Sequence, residues 1–288
     1  MLELFFQQLL NGLTTGSVYS LVALGLTLVF GILHVPNFAH GAFYMVGAYV
    51  TLTVMTALGV HYWVAIGISV LVIAVLSVIT ERLIFSKLGT ADPLSLMIAA
   101  IGILFFLESF AQYLWGTEYQ RMFTPYGDTI NLFGLTVTFQ RVLIIIAAVV
   151  LMLLLHLFLT RTMTGAAIVA MSQNRDGAFL VGINANKVAM LTFAIAGGFA
   201  AAAASLAAPI NLVFPSMGNL VIMKAFVIII IGGMGSIPGA ILGGYILGIA
   251  ESMGATYISA DYKDIIAFVL LVIILTIKPT GIFAKGVH

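Results

Sequence analysis

VLIIIAAVVLMLLLHLFL (Val142–Leu159), RTMTGAAIVAMSQNRDGAFLVGINANK (Arg161–Lys187) and VAMLTFAIAGGFAAAAASLAA (Val188–Ala208) follow one another along the chain, with only Thr160 intervening. The outer two runs are apolar and match the ~20 residues that carry a helix across ~30 Å of hydrocarbon. The middle one is polar and too long to be a mere turn. Within it Asn174 is placed to N-cap a short helix over Arg175–Val181, and Gly182 suits the left-handed residue that stops one. Two turns fall well short of the ~12–15 residues that are marginal alone in water, so such a helix needs a surface to lie against. Its apolar face, Ala178, Phe179, Val181 and Ile183, predicts docking to another subunit. Phe179, Leu180 and Ile183 form the apolar part of that dock and Arg175 and Asp176 its rim. A solvated loop with a chance amphipathic turn is the alternative.

Composition carries the same reading to the whole chain. Of 288 residues, 62% are hydrophobic and 7% charged, against roughly 25% charged in soluble domains. Mean hydropathy is +1.20. The fold class expected is all-α: a polytopic transmembrane helical bundle of about 8–9 spans, a single transmembrane domain over 1–288 with 161–187 as a loop within it. The spans fall near 12–32, 38–58, 62–80, 93–114, 140–160, 188–209, 218–233, 238–256 and 264–279. The 218–233 run is short and contains Lys224, so a tilted, broken or re-entrant segment is open there. With no cysteine, disulfides, thiolate nucleophiles and cysteine metal sites are excluded. A net charge of +1 gives no reason to expect nucleic acid. The N-terminal MLELFFQQLLNG lacks the basic region of a cleaved signal.

Alternating passes put 81–92, 161–187 and the tail from Lys278 on one side. They hold Arg82, Lys87, Arg161, Arg175, Lys187, Lys278 and Lys285, seven of the eleven basic residues. Basic loops stay cytoplasmic, so the loop and the C-terminus are expected inside and the N-terminus outside. Tyr113, Trp115 and Tyr119 fit an interfacial aromatic anchor on the outer side.

Glycines at four-residue spacing (Gly12 and Gly16; Gly235, Gly239 and Gly243; Gly244 and Gly248) make small-residue faces where helix backbones approach closely. Gly197, Gly198 and Ala200–Ala204 do the same in the sixth span. Packing within the chain, a dimer face and a sliding surface are all compatible with them. Pro36 and Asn37 break the first span from the second, with Asn37 capping a helix from Phe38 and His40 in its first turn, structural or gating. Charges within spans point to a solute pathway. Glu108, Lys224 and Glu251 qualify; mutual pairing, or neutralisation near the interface, is the ordinary reading, and a donor–acceptor pair of Glu108 with Lys224 for a solute is the alternative.

Three stretches carry a resemblance. NGLTTGSVYSLVALGLTLVFGILHVPNFAHGAFYMVGAYV (Asn11–Val50), with its NFAHG core, resembles the N-terminal signature of the bacterial ABC permeases for branched-chain amino acids. IIIIGGMGSIPGAILGGYILGIAE (Ile228–Glu251) resembles their glycine-rich C-terminal signature. The loop residues Gly165, Asp176, Ala178, Leu180, Gly182 and Ile183 resemble their cytoplasmic loop. Order and length look closest to the Liv-H-type member. Ala166 and Val169 stand where the family loop often carries basic residues, and Ala42 follows NFAHG where an acidic residue is common.

The resemblance implies an inner-membrane permease subunit of an ATP-driven importer, paired with a homologous Liv-M-type permease. It also implies two cytoplasmic ATPases that hold ATP and Mg, a periplasmic substrate-binding protein and surrounding lipid. No cofactor, metal or catalytic residue is expected on this chain. Urea and short-chain amide importers use similar permeases and remain open. So does an ion-coupled secondary transporter, for which Pro36 and Gly232–Gly239 would be the helix breaks. The chain has no HExxH and no P-loop.

Overall fold

Every one of the nine expected passes is helical in the computed structural model, which describes residues 2–89, 92–124, 126–132 and 135–283. The long helices are α1 (Leu2–Leu33), α2 (Ala39–Leu58), α3 (Tyr62–Thr80, continued by a π-helical turn Glu81–Phe85), α4 (Pro93–Trp115) and α5 (Phe139–Arg161). After two short helices, α6 (Met163–Gln173) and α7 (Arg175–Leu180), come α8 (Ala185–Ala207), α9 (Met217–Gly232), α10 (Ile237–Tyr257) and α11 (Lys263–Ile277). Seven of these are long and apolar enough to span a membrane by themselves. With 16 and 15 residues, α9 and α11 are shorter. The 218–233 segment is thus one unbroken helix. Lys285, counted in the charge argument, lies outside the described residues.

The two ends of the bundle differ. One carries four short strands: β1 (Gln120–Arg121) pairs with β4 (Leu212–Val213), and β2 (Thr129–Leu132) pairs with β3 (Leu135–Thr138), all antiparallel. These strands are a feature the apolar pattern does not announce. The other end carries α6 and α7. The described chain starts at the strand end and finishes at the α6–α7 end.

Helix α1 is the axis, with 89% of its most apolar window buried, and it touches α10, α8, α9, α5 and α6. It packs on α10 through glycine faces set against each other. A Cβ on Gly248 would stand 2.5 Å from Gly16 Cα and 2.7 Å from the Gly12 carbonyl oxygen. The close approach lets Ser20 donate to the Ile241 carbonyl at 2.8 Å and Ser252 to that of Gln8 at 2.9 Å. Likewise Gly239 faces Gly232 and Gly243 faces Ile228 across α9–α10, and Gly47 faces Ala201 across α2–α8. The small-residue faces of Gly239, Gly243, Gly244 and Gly248 are therefore used up inside the chain, and no dimer face is left on them. Gly235 is different: it sits exposed in the α9–α10 turn at φ 81° with nothing near its Cβ direction. Its role is backbone freedom, not packing.

At the α6–α7 end α1 closes at His34, a non-glycine residue at φ 54°, just ahead of the Val35–Pro36 pair that cannot continue a helix. Asn37 Oδ1 then accepts from the Ala39 amide at 3.2 Å. That starts α2 one residue later than the expected Phe38.

Candidate functional site

Two places collect the functional candidates: the α6–α7 end and a polar cluster within the spans around α9. At the first, three caps punctuate the loop. Thr162 accepts from the Gly165 amide at 3.0 Å, Asn174 from Gly177 at 2.8 Å and Asn184 from Lys187 at 3.1 Å, starting α6, α7 and α8 in turn. Gly165 lies buried against the last turn of α5, where a Cβ would stand 2.6 Å from Leu159 Cα. Only glycine lets the chain double back so tightly. The α6 helix was not foreseen; the uninterrupted run after Thr162, free of Pro and internal Gly beyond Gly165, is the signal that could have found it. Its Ile168 and Met171 are buried, and Ser172 sits over Gly31 of α1. A small pocket of about 20 Å³ is lined there by Thr27, Gly31, Leu159, Ser172, Gly235 and Ile237 among others. So α6 bears at once on α5, on α1 and on the α9–α10 turn.

Helix α7 ends in a Schellman motif. The Gly182 amide, at φ 83°, donates to the Phe179 carbonyl at 3.0 Å, and the Ile183 amide donates to Ala178 at 3.1 Å. That geometry brings the residue after the left-handed glycine back over the third-last helical residue. It corrects the expected dock: Ile183 packs inward on the core beside the buried Ala178. Phe179, Leu180 and Val181 point outward, 72, 85 and 76% exposed. Arg175 and Asp176 are exposed alongside them.

In the second place, Lys224 lies midway along α9. Its ammonium group is 2.9 Å from Glu251 Oε1 and 3.0 Å from Oε2 on α10, and 3.0 Å from Asp264 Oδ1 on α11. It also donates to the Tyr19 hydroxyl at 2.9 Å, which in turn donates to Glu251 Oε2 at 2.8 Å. Glu251 is fully buried, Lys224 13% exposed and Asp264 66%. Burying an ion pair in a low-dielectric interior is costly unless further hydrogen bonds complete it, and Tyr19 supplies them. Lys224 and Glu108 are not paired with each other. Glu108, on α4, instead accepts from Asn219 Nδ2 at 3.0 Å. Asp264 and Tyr19 went unnoticed in the sequence, since each sits near a helix end or in an apolar run and only folding brings it to Lys224.

His40 is not at a surface. It is fully buried, its Nε2 3.0 Å from the Val22 carbonyl, with its ring edge against Gly25. Asn37 is buried beside the same helix start. His40 is built into the packing of α1, α2 and α8. Trp115 also turns inward, stacked on Tyr49 at 4.7 Å and donating to Thr53 at 2.7 Å, while Tyr113 and Tyr119 stay exposed. A cavity of about 410 Å³ between α3, α5 and α8 is lined only by apolar side chains such as Trp63, Val70, Leu143 and Leu206. It holds no charged or hydrogen-bonding side chain other than the Trp63 indole.

Known proteins match along nearly the whole length. A profile for the family described as branched-chain amino acid transport system / permease component covers residues 8–275. The high-affinity branched-chain amino acid transport system permease protein BraD of Pseudomonas aeruginosa is 35% identical, over 98% of this chain and 96% of its own. Its counterpart LivH of Escherichia coli is 36% identical over the same shares. A probable LivH of Methanocaldococcus jannaschii is 30% identical over 91% of this chain and 87% of its own. Among solved structures, PsaBC from Streptococcus pneumoniae in complex with Fab shares the fold, with TM-score 0.51 and 13% identity over 94% of this chain and 91% of that one.

Proposed function

The chain belongs to the branched-chain amino acid transport permease family, and we propose that it is the Liv-H-type half of the membrane pathway of an ATP-driven importer for branched-chain amino acids. A homologous Liv-M-type permease forms the other half. Two ATPases, which hold the ATP and Mg, sit at the α6–α7 end, and a soluble binding protein delivers substrate at the strand end. The excess of Arg and Lys at the α6–α7 end (Arg82, Lys87, Arg161, Arg175, Lys187, Lys278) supports a cytoplasmic setting for that end.

The observation that carries this reading is the tip of α7. Three large apolar side chains in a row, Phe179, Leu180 and Val181, stand in the open at the end of a six-residue helix. Burying one such side chain fully is favourable by ~1.5–3 kcal/mol, so a partner that covers all three gains a firm hold on α7. From there the contact runs through α6, seated on Gly31 of α1, into the axis helix that touches most of the bundle. ATP-driven approach of the partners shifts α6 and α7, and α1 passes the shift to the passage. A contact equally good in both states would move nothing, so α7 must be held differently before and after hydrolysis.

Phe179→Asp tests it. The variant is expected in the membrane at normal amounts, with uptake of branched-chain amino acid lost and the ATPase no longer stimulated by loaded binding protein. Normal uptake by Phe179→Asp sinks the assignment.

A further inference from the structure

We infer that the strand-end half of α9 carries a subsite for the amino acid itself, with Leu220 and Met223 as its floor, Lys224 as the group that takes the carboxylate and Glu108 as the group that takes the ammonium. The inference rests on the reading above that the solute is an apolar amino acid.

At 100° per residue, Asn219, Leu220, Met223 and Lys224 fall within an arc of about 140° on one side of α9. Leu220 and Met223, inside the arc, are 55 and 48% exposed. Asn219 and Lys224, at its edges, are tied to flanking helices: Asn219 to Glu108 of α4 at 3.0 Å, Lys224 to Asp264 of α11 at 3.0 Å. An exposed apolar strip thus lies between two polar edges, one joined to Glu108 and the other formed by Lys224. It closes toward the α6–α7 end, where Val227, the next residue of the stripe, is buried. Ionised groups left partly open within a membrane span are unfavourable against lipid and are found facing water or protein. This face of the permease is therefore turned toward the passage.

With the ammonium at Glu108 and the carboxylate at Lys224, the branched side chain lies on the exposed Leu220 and Met223 between them. Lys224 has three N–H groups, directed at Tyr19, Glu251 and Asp264. The first two partners are built in. Asp264 is 66% exposed, and a substrate carboxylate takes its place while the Lys224–Glu251 pair stays intact.

The chain has no cysteine, so single substitutions can be labelled without background, in membranes holding the assembled importer. Met223→Cys is expected to react with a cationic, membrane-impermeant methanethiosulfonate about tenfold or more faster than Val272→Cys on the outer face of α11, because apolar surroundings suppress the reactive thiolate. Leucine delivered by the binding protein slows the reaction. Glu108→Gln still accepts from Asn219, so a purely structural Glu108 predicts unchanged uptake. The subsite predicts that leucine uptake falls about tenfold or more as a charge-assisted hydrogen bond weakens, with the amount of chain in the membrane unaltered. A Met223→Cys no more reactive than Val272→Cys, or a Glu108→Gln that imports normally, overturns the subsite and leaves the family function standing. Failure of the unaltered importer to take up any branched-chain amino acid overturns both.

Discussion

Replacing Gly248 by alanine adds one methyl group at the point where α1 and α10 come closest. Its carbon would stand 2.5 Å from Gly16 Cα, whereas carbon atoms in good contact are ~3.5 Å apart. The helices must separate by about 1 Å, and no opposing side chain can be shortened to spare them, since the neighbour is already glycine. Separation stretches Ser20→Ile241 O from 2.8 Å and Ser252→Gln8 O from 2.9 Å past the hydrogen-bonding range. Interhelical hydrogen bonds in membranes average ~0.6 kcal/mol, so the two together forfeit about 1 kcal/mol. Overpacking adds ~1–3 kcal/mol. The expected loss is about 2–4 kcal/mol.

Gly102, inside α4, is the matched control, because a Cβ there meets nothing within 4 Å. G102A should gain up to ~1 kcal/mol from helix propensity alone. Reversible unfolding of the purified chain in bicelles, titrated with a denaturing detergent, measures both. If G248A falls within ~0.5 kcal/mol of G102A, close backbone contact is not what holds α1 to α10.

Other outcomes follow from single contacts. Lys224→Met strands Glu251 as a buried lone charge and should cost ~3–5 kcal/mol in the same unfolding assay. Lys224→Met combined with Glu251→Met should recover most of it, and equal losses in single and double variants would show that the two are not coupled. Asn174→Ala removes the cap on α7, worth about 1 kcal/mol, so the amides of 177–181 should exchange roughly fivefold faster, with Asn174→Ser restoring the rate. In the cysteine-free chain, an impermeant reagent added to whole cells should label Phe123→Cys but reach Arg175→Cys only in inverted vesicles. Labelling of both from outside would refute the orientation.

The passes were legible because a helix in hydrocarbon satisfies its backbone internally and needs only a long apolar run to be recognised. The α7 helix was legible for an equally local reason, since Asn174 and Gly182 each act on the backbone beside them. Ile183 was misassigned because an apolar residue past a helix end reads the same whether it faces a partner or folds back. The Schellman geometry turns it back onto Ala178. The strands were not legible at all: two-residue pairings such as Gln120 with Val213 have no period to read.

Sequence by itself determined the class, the passes, the spacing of the small residues and the inventory of charges inside the spans, all properties of a residue and its near neighbours along the chain. It did not determine which glycine meets which, nor that Lys224 answers to Glu251, Asp264 and Tyr19 while Glu108 goes to Asn219. Lys224 and Tyr19 alone are 205 positions apart. Such pairings depend on the relative rotation and register of separate helices, which are set only when all the helices pack at once.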